Sequence, residues 1–480
     1  MKLYNTLTRE KDELPAPILQ KSITMYSCGP TVYDETHIGH MRKFTMDDVL
    51  KRSLRFLGYE VKHVMNITDV GHLTGDDDSG EDKLEKGAKK QGKTVWDVAK
   101  EYEEKFWDTM KALKIDQDDI IVMHATQCID DMIALNKKLE EKGFTYQTDE
   151  ALYFDVTMFD GYGKLSGQKM EDKKQAVRSE VNIDPGKKHP ADFALWFKKV
   201  GRFADHTMHW ESPWGDGFPG WHIECSAMAM KGLQSETIDI HTGGIDHIPV
   251  HHENEIAQSE AATGKPFARW WVHHAFLQVD GEKMSKSKGN FYTLKDLHDR
   301  KVDPLTLKYL FLQTHYRKAM NFTWESAQAA ANAYEQLQSI YHDLKQHANG
   351  TKITHAQDLS GTAQFMLNTF KKDISDDLNT ARLLGNVWYM LKEEKLKPED
   401  QLFLLDHVNT IFGFDLNGKE HNISLSDNVS ISDEVQLLAK QRLQARTDKD
   451  FQKSDDIRKQ IENNGYTIED TNDGYVIKKK

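Results

Sequence analysis

Residues 21–67, KSITMYSCGPTVYDETHIGHMRKFTMDDVLKRSLRFLGYEVKHVMNI, decide the fold. Residues 21–28 read as a strand that ends at Gly29-Pro30, a turn signal. Phe44, Val49, Leu50, Leu54 and Leu57 then recur at helical intervals, and Gly58 stands where a C-terminal cap belongs. Residues 59–67 read as the next strand. Strand, helix and strand in this order make a right-handed β-α-β unit, the seed of a doubly wound parallel sheet. The expected fold class is therefore α/β, with a Rossmann-type sheet.

Working outward, residues 75–93 are densely charged and read as an exposed loop and helix start, and 95–113 read as helical. A helix at 129–142 and strands near 151–157 fall in an insertion between the two halves of the sheet, placed at about 117–205. The second half is expected to resume around Trp210, with a helix near 221–232, a strand at 237–241, a helix at 252–263 and strands up to Val279. Beyond about Asp303 the pattern is mostly helical. Residues 348–361 and 415–432 are polar and read as linkers. Near the end, helices are expected from Ser432 and from Ser454, with a stop at Gly465 and a hairpin through Asn472-Asp473-Gly474.

The 480 residues exceed one compact core, so two to four domains are expected. Hydrophobic residues are 38% and charged residues 29%, a globular rather than disordered composition. A net charge of −13 argues against nonspecific coating of nucleic acid, but leaves room for a shaped RNA partner met by local basic patches. Only Cys28, Cys128 and Cys225 occur, too few and too scattered for a disulfide framework, so a reducing compartment is expected. The opening MKLYNTLTREKDELP has charges where a secretory leader needs an apolar core, and no long apolar run is present. A cytoplasmic protein without membrane association is the expectation.

Two short motifs carry chemistry. His37-Ile38-Gly39-His40 opens the first helix. Free N–H groups at a helix start favour anions, two imidazoles add donors, and Gly39 leaves room for a ligand near the backbone. Lys283-Met284-Ser285-Lys286-Ser287 is bracketed by Gly281 and Gly289, so two lysines in a short loop can swing onto a triphosphate. Either motif alone also suits a solvated surface; the two together, in this order, point to nucleotide chemistry.

HIGH followed by KMSKS resembles the class I aminoacyl-tRNA synthetases. The resemblance implies a catalytic domain at 1–300 that binds ATP between the motifs, with His37, Gly39 and His40 on ATP and Lys283 and Lys286 on its phosphates. It further implies a junction at 301–325, carrying His315-Tyr316-Arg317, and a helical tRNA-binding bundle at 326–415, carrying Asp376-Asp377-Leu378-Asn379-Thr380. A small C-terminal α+β module at 430–480 would recognise the anticodon. Arg442, Arg446, Arg458 and Lys478–Lys480 are its candidate RNA contacts, although a charge run is usually a solvated face.

A third constellation selects within the class. His251 and Glu255 are four apart and share a helical face, and Cys28 and Cys225 add two soft donors, a credible zinc set that spacing alone does not organise. SCGPTVYD, GWHIECSAM and HHENEIAQS resemble the zinc-binding segments of cysteinyl-tRNA synthetases. The implied ligands of one zinc ion per chain are Cys28, Cys225, His251 and Glu255, not His252 or Glu253, with Cys128 structural. In the family the substrate sulfur joins the metal as an additional ligand.

Thr68, Trp221 and His241 would line the cysteine pocket, and Gly243, Gly244 and Asp246 would hold adenosine, with Asp246 on ribose. Trp196, Trp210 and Trp214 read as packing residues. The implied partners are tRNA(Cys), L-cysteine and ATP with Mg2+, and the implied state is a monomer. Rival readings are a ligase that joins cysteine to an amino sugar, a nonenzymatic tRNA-binding paralogue, and a synthetase for another amino acid.

Overall fold

The computed structural model describes residues 1–480 apart from 72, 74–81, 169–183, 349–352, 419–434, 436–437, 440, 443–444, 447–449, 472–473 and 480. Its central element is the expected unit: strand Ser22–Ser27, helix Ile38–Phe56 and strand Glu60–Ile67. Gly58 follows the helix at φ 98°, a conformation that glycine adopts without a Cβ penalty. The two strands pair in parallel, Ser22 opposite Glu60 through Ser27 opposite Met65. Five parallel strands form the sheet, in the order Ala268–His274, Ile238–Gly244, Ser22–Ser27, Glu60–Ile67, Ile121–His124. The sheet is covered by helices, which explains why Val64–Ile67 is buried at every position rather than alternating. The strand order reverses beside Ser22–Ser27, so Cys28 lies at the carboxyl end of the sheet where open α/β folds bind ligands.

The insertion differs from the sequence expectation at both ends. Ile121–His124 belongs to the parallel sheet, pairing with Val64–Ile67, although it falls inside the expected 117–205. An antiparallel sheet of Thr145–Gln147, Ala151–Phe154, Phe193–Lys198 and Gly217–Pro219 extends past Trp210, which bridges to Gly217. A four-residue strand has too short a pattern to reveal its partner. Cys128 is fully buried, as are Trp196 and Trp214, in the core beneath this region.

Helices Pro304–Leu312, Trp324–His347, Gly361–Ser375, Thr380–Leu391 and Pro398–Phe412 follow. Asp303 caps the first of them, with Pro304 in its first turn. The expected junction and bundle segments meet at Asp377: it accepts from Tyr316 Oη at 2.6 Å, Arg317 Nε at 2.8 Å and the Tyr4 amide at 2.8 Å.

Residues 1–421 form one compact unit and 422–480 a second. In the second, helix Phe451–Asn463 precedes antiparallel strands Tyr466–Thr471 and Gly474–Lys479. That helix begins before the expected Ser454. Val435, Ala439, Ile457, Ile461 and Ile468 form its core. Arg442 is only 2% exposed, so it is a buried side chain rather than an RNA contact. The acidic loop at 75–82, the helix start at Ser432 and the turn at Asn472-Asp473 fall wholly or largely outside the described residues. Among the described residues, no helix is long and apolar enough to cross a membrane.

Candidate active site

His37 is the N-cap of the Ile38–Phe56 helix, and its Nδ1 accepts from the amides of Gly39 at 3.0 Å and His40 at 3.2 Å. Burial pulls its pKa down to about 4, so the ring is neutral at pH 7 and Nε2 carries the remaining N–H donor. The His40 ring stacks on it, centroids 3.6 Å apart. The chain carrying KMSKS pairs with this turn: Ile38 N donates to Tyr292 O at 2.9 Å, and His37 bridges to Thr293. Met284 reaches the face of Gly39. Lys283 ends a two-residue strand, Glu282–Lys283, and is exposed. Lys286 reaches Asp34 Oδ1 at 2.5 Å while remaining largely exposed. The fold thus brings both motifs together at one end of the sheet.

Behind them lies a cluster of sulfur, imidazole and carboxylate. Cys28 follows the first strand and its amide donates to Thr242 O on the neighbouring strand. Lys43, from the HIGH helix, donates to the Cys28 carbonyl. Cys225 stands on helix Trp221–Leu233, and His251 and Glu255 on helix His251–Thr263. The ligand atoms of Cys28, Cys225, His251 and Glu255 all lie within 4.8 Å of one another, and all four residues are buried. Two thiols, an imidazole and a carboxylate at that spacing fit the donor preference of zinc and its bond lengths of about 2.0–2.3 Å.

A second set, Cys28, His241, His252 and Glu255, meets the same distance criterion. It includes His252, which the sequence reading set aside: His252 Nε2 lies 3.3 Å from Cys28 Sγ. The surroundings favour the first set. His241 Nε2 is bonded to Glu255 Oε2 at 2.7 Å and its ring stacks on Trp271, while His252 Nδ1 is bonded to His273 at 2.8 Å. His241 thereby holds Glu255 in place, whereas the His252–His273 bond is one that a metal-bound imidazole also makes. The first set supplies both thiols, the softest donors present.

Burial and mutual contact set the ionisation of these four groups. Burial pushes the Cys28 thiol up, and hydrogen bonding to Cys28 together with burial pushes Cys225 well above its ordinary range. A divalent cation held by these residues would reverse that preference and favour both thiolates. Burial pulls His251 down, but Glu255 and Cys225 outweigh it and carry the imidazole up to about 10. Burial raises Glu255, but His241 and His251 outweigh it and bring the carboxylate down to about 2.

The remaining expected residues surround this cluster. Trp221 begins its helix and stacks on His251 at 4.1 Å. Thr68 is buried at the end of the second strand. His241, Gly243 and Gly244 end strand Ile238–Gly244, and Asp246 is exposed in the short turn Ile245–His247 that follows. Asp34, Lys43 and Glu224 are additions that sequence reading did not single out. Their significance lies in partners far along the chain, which no local pattern encodes.

Residues 15–332 match the family described as "tRNA synthetases class I (C) catalytic domain". A Mycobacterium tuberculosis methionyl-tRNA synthetase bound by methionyl-adenylate superposes with a TM-score of 0.56 at 14% identity, over 83% of this chain and 93% of that one, a likeness of fold. With HIGH and KMSKS paired at the carboxyl end of a parallel sheet, the molecule is a class I aminoacyl-tRNA synthetase homologue. Within that class the relatives are specific. The chain is 41% identical to a cysteine–tRNA ligase of Treponema denticola, over 98% of each, and 38% identical to one of Borreliella burgdorferi, over 100% of this chain and 99% of that one. The chain belongs to the cysteine–tRNA ligase family.

Proposed function

We propose that this enzyme activates L-cysteine with ATP and transfers the cysteinyl group to the 3′-terminal adenosine of tRNA(Cys). The observation that carries the reading is the convergence of Cys28, Cys225, His251 and Glu255 behind a paired HIGH and KMSKS rim.

His37 and His40, at the helix N-terminus with Gly39, hold ATP phosphates. Gly243 and Gly244 receive adenosine and Asp246 its ribose. Thr68, Trp221 and His241 line the cysteine pocket. The substrate carboxylate attacks the α-phosphate and pyrophosphate leaves. Lys283 and Lys286 move onto the phosphates and stabilise the charge that builds there, with Mg2+ accompanying ATP. The 2′-hydroxyl of the tRNA terminal ribose then attacks the acyl carbon of the adenylate, forming the cysteinyl ester and releasing AMP. Positioning and charge stabilisation carry both steps, and no side chain is assigned as a general base. Cys28, Cys225, His251 and Glu255 would hold one zinc ion per chain, which would supply a Lewis acid that prefers a thiolate to an alcohol.

The module at 430–480 contributes anticodon recognition, and the bundle at 326–415 supports the tRNA. The working state is a cytoplasmic monomer. Charging of tRNA(Cys) with labelled cysteine tests this directly. Cysteine-dependent exchange of pyrophosphate without tRNA charging, but with ligation to an amino sugar, would favour the rival ligase. No activation at all by folded, zinc-loaded protein would favour a nonenzymatic tRNA-binding paralogue.

A further inference from the structure

Among the described residues, Glu255, Glu253, Asp47 and Asp69 around the cluster meet cationic or donor groups, whereas Glu224 keeps one oxygen with neither a hydrogen bond nor an ion pair. Glu255 faces His241 and His251. Glu253 accepts from the amides of Gly163, Leu165 and Ser166. Asp47 faces Lys43 and His274. Asp69 accepts from the amide and hydroxyl of Thr126. Glu224 is 1% exposed, yet its Oε2 has no hydrogen-bond partner. Its neighbours are the Thr68 side chain, Asp69 and His251. A buried, half-satisfied carboxyl is costly unless a partner arrives.

Its position says which partner. Glu224 immediately precedes Cys225. Thr68 donates its amide to Pro30 O at 3.0 Å and accepts from Val32 N at 3.3 Å, so it abuts the loop that leaves Cys28. Glu224 therefore lies on the helix that supplies Cys225 and, through Thr68, is tied to the loop that leaves Cys28. An amino acid whose thiol is held at that cluster carries its α-ammonium only a few bonds away. We infer that Glu224 binds the α-ammonium group of the substrate, with Thr68 beside it, an inference that rests on the cysteine-activation reading above. The pair discriminates against thiols that lack the amine, because a site built for a polar group rejects the analogue that leaves it unpaired.

The test compares cysteine with 3-mercaptopropionate, which keeps thiol and carboxylate but lacks the amine. ATP–pyrophosphate exchange is measured on full-length, zinc-loaded wild type, Glu224→Gln and Glu224→Asp, with 3-mercaptopropionate as inhibitor and zinc content checked throughout. Wild type is expected to bind 3-mercaptopropionate more weakly than cysteine. Glu224→Gln is expected to raise KM for cysteine roughly tenfold or more while leaving KM for ATP and the inhibition constant of 3-mercaptopropionate unchanged, with partial recovery in Glu224→Asp. Unchanged KM for cysteine in Glu224→Gln, or equal weakening of both thiols, overturns the inference alone. Equal binding of both thiols by wild type overturns it without any variant. No cysteine-dependent exchange in wild type overturns the parent reading as well.

Discussion

Met284 stands over Gly39 so closely that a Cβ on the glycine would lie 2.7 Å from Met284 Cε and 2.9 Å from His37 Cε1. The KMSKS loop and the HIGH turn therefore meet without space for a methyl group. Gly39→Ala should push Met284 and the His37 ring aside and displace the groups that receive ATP. Exchange assays are expected to show kcat/KM for ATP reduced by roughly tenfold to a hundredfold, with little change in melting temperature because the Met284 tip can move. Unaltered kinetics would mean that the contact has no part in ATP binding.

Lys286 is paired with Asp34 but its side chain is 60% exposed, so the pair contributes little to stability and can be released to a phosphate. Lys286→Ala should slow single-turnover adenylate formation by roughly 10²–10³ while cysteine binding is retained. Equal rates in variant and wild type would remove Lys286 from the reaction.

Zinc content separates the two possible ligand sets. Purified Cys225→Ser and His251→Ala should carry well under one zinc per chain. Cys128→Ser should keep its zinc, because Cys128 shares the core with Cys28 and Cys225 but belongs to neither ligand set. Retention in Cys225→Ser combined with loss in both His241→Ala and His252→Ala would assign the metal to the second set.

The ligand ionisations make metal-free protein sensitive to pH in two directions. Glu255 is lowered from 4.5 to about 2, so its contribution is complete above pH 4.5 and is lost as pH falls toward 2. His251 is raised from 6.5 to about 10, so its contribution is complete below pH 6.5 and is lost as pH rises toward 10. The melting temperature of metal-free protein should therefore decline between pH 6.5 and 10. Zinc-loaded protein needs His251 neutral and should lose that decline. Parallel curves for the two forms would contradict the role of His251.

The β-α-β seed was legible because Phe44, Val49, Leu50, Leu54 and Leu57 repeat at helical spacing and Gly58 marks the stop. The insertion boundary was not, since Ile121–His124 looks the same whether it joins a parallel sheet or an antiparallel one. Spacing joined only His251 and Glu255: Cys28 and Cys225 meet them because the strand before Cys28 and the helices carrying Cys225 and His251 converge in the fold, and the family resemblance supplied what periodicity cannot. The pairing of Lys43 with the Cys28 carbonyl and of Lys286 with Asp34 depends on long-range packing. Arg442 looked like an exposed basic residue because a charge pattern does not report burial.

The most direct measurement is amino-acid-dependent ATP–pyrophosphate exchange by zinc-loaded protein, comparing cysteine with serine and repeated after zinc removal. Strong exchange with cysteine, negligible exchange with serine, and loss of the cysteine signal without zinc that returns on reloading are expected. Serine exchange approaching that of cysteine in the zinc-loaded protein would contradict selection of the substrate by its thiolate.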